Sequence, residues 1–221
     1  MNEQQQIAEL EAVLEQFLKP IKNIPFGLIM KSMSGHPILP MERDLEADQV
    51  LIEQLAHVAQ LTGELVRAKP IRRNRPNEVG NDIETYVIEA AAKLGFTAER
   101  PKARSGKLKS TGYPDILLTG EDGRPTYVEC KIFGEGSELT TMRSFYLSPS
   151  DDFKVTMAAR HLLLAFGVDR EPIPQSRDSL YRATSFKLVD LSGLKCDVKY
   201  EFNSDNQRLY QEALILATGS V

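Results

Sequence analysis

Apolar residues along this chain recur first at helical spacing and later at strand spacing. Ile7, Leu10, Val13, Leu14, Phe17 and Leu18 share one helical face and are followed by Pro20, which predicts an amphipathic helix over residues 4–18. Asn23–Pro40 is rich in Pro, Gly, Met and Ser and reads as an irregular connection. Leu51, Leu55, Val58, Leu61 and Leu65 mark a longer helix that stops before Pro70. A third helix is expected from Asn77 to Leu94, with Val79, Ile83, Val87, Ala90 and Leu94 on one face and Gly95 ending it. Glu84 lies beside that apolar face, and Glu89 is the other acid of its later turns.

After Gly95 the period falls from about 3.6 to about 2, the change expected where helix gives way to sheet. Phe96–Arg100, Pro114–Thr119 and Thr126–Phe133 read as strands, and Glu121, Asp122 and Gly123 supply the turn that joins the last two as a hairpin. A polar Gly and Ser stretch follows Phe133. Beyond it a short helix is expected at Phe153–Arg160, a strand at His161–Val168 and a loop at Glu171–Asp178. Ser185–Leu191 and Cys196–Phe202 read as further strands and Gln207–Leu216 as a closing helix.

Length and composition narrow the class without naming it. At 221 residues, with 42% hydrophobic and 26% charged positions, the chain suits one compact unit of an ordinary globular kind. No apolar run approaches the ~20 residues that span a bilayer, and the start lacks the basic and apolar regions of a secretory signal, so the cytoplasm is the expected location. Cys130 and Cys196 cannot build a zinc cluster or a disulfide framework and are expected to be small buried hydrophobes. His36, His57 and His161 have no partner at ligand spacing, which speaks against a histidine-bound metal. Neither a GxxxxGK[ST] loop nor a GxSxG elbow is present, which removes ATPase chemistry and the serine hydrolase elbow.

Net charge is −4, which does not by itself suit a nucleic-acid coat, yet the basic residues are unevenly placed. Leu65–Asn77 contains no acid but carries Arg67, Lys69, Arg72, Arg73 and Arg75. Arg100–Pro114 again lacks acids and carries Arg100, Lys102, Arg104, Lys107 and Lys109. Local charge sets the field that a phosphate backbone meets, so both stretches are candidate DNA contacts, against the plainer reading of solvated basic loops. The second runs directly into Pro114-Asp115.

In the hairpin, Asp115 stands near the start of one strand and Glu129 and Lys131 on its neighbour. Strand alternation puts Glu129 and Lys131 on one face and Val128 and Cys130 on the other. Two carboxylates side by side repel, and charges in a sheet interior are rare unless paired or bound to a cation. A divalent ion such as Mg²⁺, held by both carboxylates and completed by water and a phosphate oxygen, resolves that conflict.

Pro114-Asp115, followed fourteen residues later by Glu129-Cys130-Lys131, resembles the signature of the PD-(D/E)XK nuclease superfamily. The order helix, three strands, helix, strand resembles that superfamily's core, over roughly Val79 to Val168, and Gly80-Asn81-Asp82-Ile83-Glu84 is similar to its acid-bearing helix. The resemblance implies an α/β fold with a central mixed β-sheet flanked by helices. It also implies one nuclease domain over 1–221: an N-terminal helical region (1–69), a catalytic core (77–168) and C-terminal strands and helix (169–221). Asp115, Glu129 and Glu84 would be metal ligands, Lys131 the catalytic lysine, Mg²⁺ the cofactor with Mn²⁺ able to substitute, and double-stranded DNA the substrate.

Compact size and the lack of a motor motif make a type II restriction endonuclease the expected member. Such an enzyme implies a homodimer on a palindromic site and a cognate DNA methyltransferase in the host that is not a physical partner. Thr140, Thr141, Arg143 and Tyr146, in the polar segment after Lys131, have the side chains that read base edges and phosphates. Two other readings stand beside this one: a structure-directed repair or recombination nuclease, and a catalytically inactive DNA-binding module of the same fold.

Overall fold

A computed structural model describes residues 3–134, 145–198, 206–209 and 211–215. In chain order the elements are α1 (Glu3–Leu18), β1 (Ile21–Pro25), α2 (Phe26–Ser34), α3 (Glu46–Ala68), β2 (Ile71–Arg73), α4 (Pro76–Lys93), β3 (Thr97–Glu99), β4 (Ile116–Thr119), β5 (Pro125–Phe133), β6 (Arg160–Pro172), β7 (Ser179–Asp190), β8 (Lys195–Val198) and α5 (Asn206–Leu209). Short 3₁₀ turns occupy Leu191–Gly193 and Glu212–Leu214. The chain divides into a large unit, Pro25–Leu194, and a smaller one made of Met1–Ile24 and Lys195–Val221.

The large unit is built on a six-stranded sheet of order β2-β7-β6-β5-β4-β3, so the fold is α/β with a central mixed sheet flanked by helices. β5 and β6 run parallel, and the other neighbours run antiparallel. α4 opens with Pro76 in its first turn, where a missing N–H costs nothing, and Gly95 follows its end at φ 88°, a conformation that glycine adopts without strain. Val79, Ile83, Val87 and Ala90 follow one another at helical spacing and have no solvent exposure. They pack with Leu55, Val58 and Val66 of α3 and with Ile116, Leu118, Val128, Cys130, Leu162 and Leu164 of the sheet. Truncating a fully buried residue such as Ile83 to alanine would cost about 2–5 kcal/mol.

The opposite side of the sheet carries an aromatic layer. Phe26, the first residue of α2, lies edge-on to Tyr113 (ring centroids 5.5 Å), Phe145 (5.4 Å) and His161 (6.2 Å). α2 falls inside the stretch expected to be irregular, and the strand β1 precedes it. Its signals were present but brief: Pro25 at the N-cap, Phe26 and Met30 one turn apart and both buried, and Gly35 at φ 80° closing the last turn onto Lys31 O.

Other expectations are corrected by tertiary hydrogen bonding. No helix forms at Phe153–Arg160. The backbone there bonds outward instead: Phe153 O accepts from Arg104 N (2.7 Å) and Ala159 O from Leu39 N (2.8 Å), in place of bonds one turn away. β6 continues to Pro172 and β7 starts at Ser179, so the loop is shorter and the following strand begins earlier than expected. A Cβ at Gly167 would stand 2.3 Å from Ser185 Oγ and 3.1 Å from the Phe133 ring at the bulge in this pair, so a larger residue there would force these side chains to move.

In the smaller unit β1 pairs with β8, and Asn23 N donates to Asp197 Oδ1 (2.9 Å). Of the expected closing helix the described residues form α5 and the 3₁₀ turn at Glu212–Leu214, while residues 210 and 216 of it, and residues 199–202 of the last expected strand, lie outside the described residues. Ile7, Leu10, Val13 and Phe17 of α1 are exposed. Cys130 is buried as expected, whereas Cys196 is only half-buried. Among the described residues no helix is long and apolar enough to cross a membrane.

Candidate active site

The β4–β5 hairpin turns at Gly120–Gly123, where Gly123 N donates to Gly120 O (3.0 Å) and Asp122 Oδ1 accepts from Arg124 N (3.0 Å). Its register sets Ile116 opposite Val128, and Asp115 N donates to Val128 O (3.2 Å), extending the ladder one step. That step places the Asp115 carboxylate against β5, where Oδ2 accepts from Cys130 N (2.8 Å). Val128 and Cys130 face the helical core, so Glu129 and Lys131 project from the other side. Lys131 Nζ donates to Glu129 Oε1 at 2.6 Å, while Glu129 Oε2 is buried without a hydrogen-bond partner. The hairpin thus brings Asp115, Glu129 and Lys131 together.

The electrostatics follow from this geometry. Glu129 is only 4% exposed; burial first, then the adjacent Asp115 carboxylate, push it up to about 7 against the pull of Lys131. Burial, the largest single effect, would lower Lys131, but the Glu129 carboxylate, helped by Asp115, raises the ammonium above its ordinary value. Glu84 of α4 is raised by burial and by Asp115, and its Oε2 meets Arg100 Nη2 at 3.3 Å. Glu89, the alternative acid on that helix, is instead paired with Lys93 (2.7 Å) at the surface.

A cation fits this donor set: two hard carboxylates are adjacent, one buried oxygen has no partner, and burial together with the Asp115 charge holds Glu129 near 7. Among the described residues no three His, Cys, Asp or Glu side chains cluster closely enough to hold a metal by themselves. Asp115 and Glu129 would therefore bind an ion with its remaining positions filled by water or phosphate oxygen.

Beneath the site, Tyr113 Oη and His161 Nδ1 are 2.6 Å apart. Burial pushes His161 down to about 4, and burial, Glu129 and Asp115 push Tyr113 well up, so both are neutral near pH 7. Sequence reading also missed Lys154, whose buried ammonium donates to Gly112 O (2.7 Å) and Pro114 O (3.2 Å) immediately before Asp115. Its one advance signal was a lysine between apolar Phe153 and Val155, in a stretch expected to be helix.

The basic stretches separate. Arg72, in edge strand β2, pairs with Asp178 (2.8 Å), and Arg73 is held by both oxygens of Asp82 (2.6 and 2.7 Å), while Arg75 is exposed. Lys102, Arg104 and Lys107 are exposed on a tight turn, closed by Ala103 N to Lys107 O (2.8 Å), between β3 at the opposite sheet edge and β4. Asp152 pins that turn through Ser105 N (2.8 Å) and Lys109 Nζ (3.0 Å), so Lys109 is engaged while its three neighbours face solvent. Tyr146 is exposed; Thr140, Thr141 and Arg143 lie outside the described residues.

A mixed sheet flanked by helices, with an acid at the start of one strand and a Glu-x-Lys on its neighbour, is a restriction-endonuclease-like core. The model of the type II restriction enzyme MjaV family matches residues 20–213. The type II restriction enzyme MjaV of Methanocaldococcus jannaschii is 38% identical over 231 aligned positions, covering 98% of this chain and 97% of that relative. The chain belongs to the type II restriction enzyme MjaV family. No solved structure matches it significantly.

Proposed function

We propose that the chain is a Mg²⁺-dependent endodeoxyribonuclease, with Mn²⁺ an acceptable substitute, that cuts double-stranded DNA at a specific sequence. Its membership of a type II restriction enzyme family supports the reaction class. The observation that carries the residue assignment is the buried Glu129, bonded to Lys131 beside Asp115 and left with one unpartnered oxygen.

Asp115 and Glu129 would hold the cation, with Glu84 an auxiliary ligand acting directly or through water. When bound, a divalent ion supplies Lewis acidity toward the scissile phosphate and lowers the pKa of a coordinated water. Lys131 would orient the attacking water and stabilise the charge that builds on the phosphorane. Glu129 raises Lys131 above its ordinary value, which favours a charged ammonium in that role over a neutral base. Half-buried Tyr113 and fully buried His161 exclude water from below, since both are neutral and pack edge-on against Phe26.

Lys102, Arg104 and Lys107 are exposed and suited to phosphate contacts, with Arg75 a further candidate. Arg72, Arg73 and Lys109 would have to exchange a carboxylate partner for a phosphate. Thr140, Thr141, Arg143 and Tyr146 remain candidates for base reading. The catalytic core at 77–168 would work within one nuclease domain. Two copies would act as a homodimer so that one centre cuts each strand, with host DNA protected by a methyltransferase that need not touch the enzyme.

Digestion of a DNA of known sequence, with end mapping, tests this. Discrete fragments sharing one terminal sequence are expected in Mg²⁺ and none in EDTA. DNA that is bound but never nicked in Mg²⁺ or Mn²⁺ would overturn the enzymatic reading, and cutting confined to branches or ends would replace sequence specificity by structure specificity.

A further inference from the structure

Lys154 is a charged side chain only 5% exposed, in a segment with no regular secondary structure. Burying an ammonium is costly unless its protons are used and its charge is answered. Two of its three protons go to main-chain carbonyls, Gly112 O at 2.7 Å and Pro114 O at 3.2 Å. The second acceptor belongs to the peptide unit that joins Pro114 to Asp115. The N–H of that same unit donates to Val128 O of β5 (3.2 Å), and the Asp115 carboxylate accepts from Cys130 N (2.8 Å). The Asp115 peptide is therefore gripped from both sides, by β5 through its N–H and by Lys154 through its C=O.

The Gly112 carbonyl is turned toward Lys154 from a residue at φ 87°, a conformation that a larger side chain would strain. Asp115, Glu84 and Glu129 are the negative charges that act on Lys154, in that order, and they oppose the larger effect of burial, which leaves the ammonium below its ordinary value. No other described lysine combines such burial with hydrogen bonds to the chain entering β4.

From this geometry we infer that Lys154 is a positioning residue of the cleavage site, fixing the Asp115 peptide and offsetting the negative charge of the acidic centre without touching DNA. The inference rests on the nuclease reading of that centre. Misplacement of a reacting group by about 1 Å costs on the order of 100-fold in rate, which sets the effect expected on removing the clamp.

The test compares Lys154→Met, Lys154→Gln and Lys154→Arg with the wild-type chain on a cleavable duplex in Mg²⁺. Thermal unfolding of each variant and DNA affinity in Ca²⁺ are measured alongside. Lys154→Met should lose about 100-fold in kcat while KM and DNA affinity stay within about threefold. Lys154→Gln, which keeps a donor but not the charge, should fall between Met and wild type, and Lys154→Arg should recover most of the loss. If Met fails to fold, Gln decides, because a folded Gln variant with wild-type kcat overturns the inference. A folded Met variant cutting within threefold of wild type would overturn it too, as would a loss seen in DNA affinity with kcat intact. Wild-type protein that does not cut at all would overturn the nuclease reading instead.

Discussion

Two buried ionic clusters in the large unit behave in opposite ways. Asp48, at the start of α3, has no solvent exposure, and each of its oxygens has a donor: Arg124 (2.9 Å) and Arg160 (2.5 Å) on Oδ1, Glu42 N (2.8 Å) on Oδ2. Burial pulls this carboxyl upward, but the amide and the two guanidinium groups outweigh it and hold it below its ordinary value. Glu129 is comparably buried, yet it has one oxygen without a donor, a second carboxylate as neighbour, and a pKa pushed up to about 7. In the first cluster both Asp48 oxygens are answered, although Arg160 Nε is itself buried without a partner, so no acceptor capacity is left over and this closed cluster supports the fold. The second is left with acceptor capacity and excess negative charge, which is what a cation site requires.

Breaking the open cluster should give the largest effect. Lys131→Ala is expected to slow single-turnover cleavage by about 10³-fold with DNA affinity nearly unchanged, since removing one group that stabilises transition-state charge costs on that order. A Lys131→Ala enzyme that cuts at the wild-type rate would show that the open cluster is not the reacting centre. Breaking the closed cluster should act on stability instead. Asp48→Ala leaves Arg160 buried without its carboxylate and should cost about 3–5 kcal/mol in chemical denaturation, with cleavage retained wherever the protein is folded.

The pH dependence sharpens the contrast. Glu129 has a folded pKa of about 7 against an ordinary 4.5, so folding favours its protonated form. In EDTA, the contribution of this group is most favourable below pH 4.5 and is lost as pH rises through 7, a decline on the order of 3 kcal/mol. Thermal unfolding across that range should show the decline, Mg²⁺ should offset it most at high pH, and Glu129→Gln should flatten it. Asp48, held low, acts in the opposite sense: its contribution is present at neutral pH and lost only as pH falls through its depressed value. The smallest effect separates two acids on α4: Glu84→Ala should slow cleavage by about tenfold, and Glu89→Ala, at an exposed pair with Lys93, should leave kcat unchanged.

Legibility tracked the range over which each residue finds its partners. α4 and the β4–β5 hairpin were readable because their hydrogen bonds and apolar periods lie within a few residues, and strand alternation alone put Glu129 and Lys131 on one face. α2 was missed because a nine-residue helix shows little periodicity and its Gly and Pro residues look like loop. The expected helix at Phe153–Arg160 failed because its backbone bonds to Arg104 and Leu39, far away in the chain, and the same pairing hides Lys154. The basic stretches were visible as charge, but which cations are already engaged was not, since Asp178, Asp82 and Asp152 come from other segments or elements.

By itself, the linear pattern determined that an acid, a second acid and a lysine would meet on a β-hairpin, because that follows from chain-local geometry, whereas the sheet flanked by helices was implied only by the resemblance to the nuclease superfamily. Only the tertiary structure decided how buried Glu129 is, that one of its oxygens lacks a donor, and which distant amine holds the peptide before Asp115. Burial and electrostatic coupling depend on every group that packs around a site, and that set is assembled only when segments far apart in sequence come together.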